Sequence, residues 1–179
     1  MRQVGRHSVG GVPPQPAPGG ESPQRSVYDA ERAAVDKLVA ALRGHVQAKD
    51  IEAQLDAIDV KLDTAADHVA KTAWPDAMRL LKEVRADVAT ARQLAESWVA
   101  FRKKRASVMA LRESLLGLAD AAAVKVKNQV DAADAKVALT PPDFVAATAA
   151  LTAADTAARP TVRGWLDDTA KLTTEIAAL

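Results

Sequence analysis

The chain has 179 residues, 49% of them hydrophobic but only 3% aromatic, with 24 Lys and Arg against 23 Asp and Glu and no Cys. That length allows one domain of ordinary size, or two small helical units, around a thin core rich in Ala and Val. The near-zero charge gives no general pull toward nucleic acid or an anionic membrane, and the lack of Cys excludes disulfides, thiolate metal sites and Cys nucleophiles.

Residues 1–27 hold five of the nine Pro and five of the eight Gly and almost no bulky apolar side chain. Such a stretch cannot bury enough surface to offset the entropy of ordering, so it reads as a disordered tail or tether. It also lacks the continuous apolar segment of a secretory signal. A cytoplasmic location is therefore expected, with non-classical export or injection as the alternative. No run approaches the roughly 18–20 apolar residues that a membrane span needs.

Beyond the tail, Ala dominates and alternating strand patterns are missing, which predicts an all-α fold. A first helix is expected over about 28–47, where Val35, Leu38, Val39, Leu42 and Val46 recur at three- and four-residue spacing. Asp50 is a candidate N-cap for a helix over 51–72, whose Ile51, Leu55, Ile58, Leu62, Ala65 and Val69 form a bundle or coiled-coil seam. Pro75 breaks that helix. From Asp76 to Leu116 there is neither Gly nor Pro, so one long helix, continuous or gently kinked, is predicted over 76–116. Gly117 ends it. A fourth helix over 118–138 stops at Thr140-Pro141-Pro142-Asp143. Two shorter helices, 143–158 and 160–178, follow, with Pro160 suited to the first position of the last.

Pro75-Asp76 and Trp98 recur as Pro142-Asp143 and Trp165, 67 residues on, and 11 of the 46 positions from 65 to 110 match their partners at that offset. In so Ala-rich a chain about four or five matches would arise by chance, so a duplicated unit of about 67 residues is the simplest account.

Chemistry is scarce. The segment 76–112 carries nine basic and four acidic groups between more acidic neighbours. Arg102, Lys103, Lys104 and Arg105 within it are candidate anion-binding residues. Four consecutive helical residues point in four directions, however, and solvated salt bridges to acidic neighbours explain them as well. His45 and His68 lie on different helices without ligand spacing, and the pairs Asp56/Asp59 and Asp59/Asp63 have no third ligand. Neither catalytic nor metal-binding residues nor a cofactor are expected. Trp98 and Trp165 sit on the apolar stripe and read as core, each filling a layer among Ala; binding of a partner protein is the alternative for both. Trp74, beside Pro75, can staple the turn or stay exposed for a partner.

The architecture expected is an up-and-down antiparallel bundle or short helical-repeat array. Its long helix would be shared by two three-helix units, similar to the way helices run between units of spectrin-like arrays. That is a likeness of architecture only. The function expected is non-catalytic: a scaffold or interaction module that binds partner helices or self-associates through an uncovered helix face. The composition fits a bacterial source. Two alternatives stand beside it: a helical module of a larger secreted or injected toxin or effector, and a weak nucleic-acid or polyanion binder using the basic helix.

Overall fold

The computed structural model describes residues 22–177, so most of the Pro/Gly-rich segment expected to be disordered lies outside the described residues. Helices α1 (Pro23–Arg43), α2 (Glu52–Ala70), α3 (Trp74–Leu115), α4 (Asp120–Val137) and α5 (Phe144–Ala177) follow one another, with a short 3-10 turn at Ala48–Ile51. No strand occurs among the described residues.

Helix α1 starts five residues earlier than its periodicity suggests, because Pro23 takes the first helical turn, where a missing N–H is harmless. It also ends early. Gly44 caps it, which leaves Val46 exposed beyond the last turn instead of on the buried stripe. Asp50 is not the N-cap of the next helix: it lies inside the 3-10 turn, and Ile51 occupies the cap position. At the end of α2, Thr72 adopts a left-handed conformation (φ 58°), with the Thr72 N–H donating to the Val69 carbonyl and the Ala73 N–H to that of His68. That paired closure satisfies two orphan carbonyls and turns the chain into α3.

Helix α3 is continuous through 42 residues, about 63 Å at the usual rise. It packs against all four other helices, whereas α1 and α2 have no comparable packing with α4 or α5. Two separate cores result. The first joins α1 and α2 to the part of α3 that ends at Ala95; the second joins the part beginning at Phe101 to α4 and α5. Between Ala95 and Phe101 the buried stripe of α3 moves to another face of the helix, since none of residues 96–100 is buried. Several buried positions of the first bundle have buried counterparts in the second, at three different offsets. Tyr28, Val35 and Leu42 of α1 correspond to Phe101, Val108 and Leu115 of α3, each 73 residues later. Leu55, Ile58, Leu62 and Ala65 of α2 correspond to Ala123, Val126, Val130 and Ala133 of α4 at 68, and Leu80, Val84 and Ala91 of α3 to Ala147, Leu151 and Ala158 of α5 at 67.

The break expected at residue 159 does not occur. Pro160 lies inside α5, which runs unbroken from Phe144 to Ala177. Proline removes the hydrogen bond to the Thr156 carbonyl and crowds that turn, but the backbone is free to resume the spiral on either side. The final stretch of α5 therefore extends beyond the second bundle instead of folding back along it.

Candidate protein-interaction site

The three tryptophans occupy different surroundings. Trp74 packs edge-on against Tyr28 at 6.3 Å between ring centres, and so ties the start of α3 to α1. Trp98 is the hub of an aromatic group, 6.1 Å from Phe101 and 5.0 Å from Phe144, with the Arg102 guanidinium 5.3 Å above its ring. Its indole N–H is buried without an acceptor. Trp165 is not core. It is 44% exposed on the part of α5 that no other helix covers. A sequence stripe has the same spacing whether or not a neighbour covers it, which is why the reading of Trp165 as a core residue fails.

The basic cluster is taken apart by the fold. Arg102 donates to Asp50 at 2.7 Å and to Gln47, both in the connection between α1 and α2. Lys104 donates to Asp155 of α5 at 3.0 Å, and Arg105 grips both carboxylate oxygens of Asp134 on α4, the shorter contacts being 2.8 Å. Only Lys103 of the four has no ion-pair partner among the described residues. Arg102, Lys104 and Arg105 thus tie α3 to its neighbours, each through a carboxylate.

Asp155 shows how closely one such tie is made. Its side chain is only 12% exposed, and Arg159 Nε forms an ion pair with Oδ1 at 2.9 Å. The Arg159 guanidinium, and after it the Lys104 ammonium, hold the Asp155 carboxyl below its ordinary value against the burial that pushes it up. A lowered folded-state value stabilises the fold above the ordinary Asp range near 3.8, and that contribution fades as pH drops through the lowered value. Asp155→Asn is accordingly expected to cost about 1–2 kcal/mol at neutral pH and progressively less in acid below the ordinary Asp value of 3.8. Urea unfolding at neutral pH and in acid checks this; a cost that does not change with pH would show that the carboxylate charge is not what matters.

No group of three or more His, Asp or Glu among the described residues is placed to hold a metal ion. His45 Nδ1 accepts the Gln47 backbone N–H, and Asp59 pairs with Arg43, so the acidic pairs of α2 do not converge on a common point. No helix among the described residues is long and apolar enough to cross a membrane.

What remains is the end of α5. From Arg159 to Ala177 every residue is exposed except half-buried Val162. Leu166 is 54%, Leu172 58% and Ile176 70% exposed, and together with Val162, Trp165 and Thr169 they fall on one side of the helix at alternating three- and four-residue steps. At the root of this segment the turn between α3 and α4 carries two more exposed side chains, Leu116 and Leu118. Ala119 of that turn and Thr161 of α5 line the same groove. The sequence periodicity marked these apolar residues; that they lack a cover could be learned only from where α3 and α4 end. No family model, no curated protein and no solved structure matches the chain.

Proposed function

We propose that this chain is a non-catalytic helical scaffold whose working surface is the uncovered apolar side of α5 from Trp165 to Ile176. The observation that carries this reading is the run of exposed Trp165, Leu166, Leu172 and Ile176 on the part of α5 that extends past the second core. A single exposed Leu is ordinary, but a continuous apolar stripe that includes a Trp is the kind of surface that helix-in-groove and bundle partners cover. The matched burial of α1, α2 and the two parts of α3 with α4 and α5 supports a structural unit used twice. Under that account the chain is a spacer of fixed length that presents the next helix. The polyanion-binding alternative has less in its favour, since Arg102, Lys104 and Arg105 are already engaged by carboxylates.

The test separates docking from folding. Trp165→Ala combined with Leu172→Ala removes two exposed side chains and is expected to change thermal stability by less than about 0.5 kcal/mol. The same pair should abolish any self-association seen by light scattering, and any capture of a heptad-repeat peptide with Leu and Ile in its seam. A parent chain that neither associates nor binds the peptide, or binding that survives the double substitution, would overturn the reading.

A further inference from the structure

The helix that opens each bundle is built to one pattern. In α1, Tyr28, Val35 and Leu42 stand seven residues apart and are buried; in α3, Phe101, Val108 and Leu115 do the same. The residue three places after the aromatic is charged, and it reaches the third helix of its own bundle. Glu31 pairs with Arg85 at 2.6 Å, and Lys104 pairs with Asp155 at 3.0 Å. The end of α5 repeats the order with Trp165, Asp168 and Leu172, and Leu179 follows in the sequence at the next seven-residue step. Here Trp165 and Leu172 are exposed, and Asp168 has no ion-pair partner among the described residues.

We propose that residues 162–177 are the opening helix of a third three-helix bundle, and that its missing pair is an antiparallel helical hairpin bearing a Lys or Arg opposite Asp168. The inference deepens the docking function proposed for α5 and rests on it. Three observations select this occupant. The exposed apolar residues, from Leu172 through Trp165 and Ile176 to Leu166, cover an arc of about 120° at 100° per residue. That arc is the wide face of a bundle helix, broader than the seam of a two-stranded coil. Charge disfavours a second copy of the tail. Asp168 and Glu175 edge one flank of the stripe, while the other flank carries Leu166 and Thr173. Antiparallel pairing of two tails sets carboxylates against carboxylates, and parallel pairing sets them against an apolar flank; neither supplies a cation. Finally, Leu151, Ala158, Trp165 and Leu172 lie on one line at seven-residue spacing, so the hairpin would stack end-on to the second bundle and also cover Leu116 and Leu118.

Grafting tests this on the whole chain. Residues 43–95 are appended directly after Leu179, so that Leu179 takes the place of Leu42 and the copied Arg85 comes to face Asp168. Amide exchange across residues 163–177 should then slow on the order of a hundredfold, with the Trp165 emission shifted to shorter wavelength. Asp168→Lys in this graft should lower that protection roughly two- to fivefold. A second graft of residues 116–160, in which Leu179 replaces Leu115 and the copied Asp155 meets Asp168, should protect less, and Asp155→Lys in the copied segment should restore it. Unchanged exchange in every graft would overturn the third bundle, while peptide capture sensitive to Trp165 and Leu172 would still uphold the docking function. Protection indifferent to charge would overturn the basic partner helix. A parent chain that dimerises with its own tail protected would name a second copy as the occupant and overturn the proposal.

Discussion

Replacing Phe101 with Ala is expected to remove about 3–5 kcal/mol of stability and to melt the second bundle well before the first. Phe101 is 3% exposed and is the first buried residue of α3 beyond the point where its stripe changes face. Its ring meets Trp98 at 6.1 Å and Phe144 at 6.3 Å, both edge-on, an arrangement that adds about 0.5–1.5 kcal/mol to simple burial. The rest of that core is mainly Ala and Val, with Leu115 and Leu151 as its larger aliphatics. Short side chains have little reach with which to close a cavity of this size, which puts the expected loss toward the upper end of the range. Chemical denaturation followed by circular dichroism gives the magnitude, and residue-level hydrogen exchange shows whether Leu151 loses protection ahead of Leu81. A loss below about 1 kcal/mol would mean that the aromatic group is not the keystone of the second core.

A proline at Ser97 is expected to have a similar total effect by a different route. Ser97 lies between Ala95, the last buried residue of the first core, and Phe101, the first of the second. Ser97→Pro deletes one backbone hydrogen bond and forces the ring against the preceding turn, at a cost of roughly 3 kcal/mol or more. Because α3 is the one element common to both cores, a bend there disturbs the aim of one bundle relative to the other, including the reach of Arg102 to Asp50. Unfolding of the parent should show Leu81 and Leu151 amides exchanging through a shared opening, and the variant should show two distinct openings. Coincident exchange in the variant would show that the cores are coupled by something other than the helix. The native Pro160 is the internal contrast. It interrupts the α5 ladder where the fully buried part of the second core ends, and of the described residues after it only Val162 is not exposed.

The same contrast explains what could be read from the sequence. The continuity of α3 was legible because its interior lacks Gly and Pro, and the all-helical class because Ala and apolar residues at helical spacing leave no strand pattern. The passage of α5 through Pro160 was not, since a local rule registers the lost hydrogen bond but not the absence of a competing packed alternative. The basic run looked like a surface feature because its partners are remote: Asp50, Asp134 and Asp155 lie 52, 29 and 51 residues away along the chain. Trp165 was found by its spacing, but its exposure depends on where α3 and α4 stop, which is a property of the assembled bundle.

The change of stripe along α3 also makes the spacing between the cores an angular setting. With 100° of turn per residue, the buried side chains before Ala95 and those from Phe101 onward point in azimuths that differ by roughly 140°. That angle is set by the number of residues between Ala95 and Phe101. Inserting one residue between Ala95 and Trp98 would swing the second bundle by about 100° around the shared axis and lift it by about 1.5 Å, keeping the spacing within each core while parting Arg102 from Asp50. The end of α5 would be carried round with it, so the direction in which this molecule presents its last helix is dialled by the length of the short segment between the two cores.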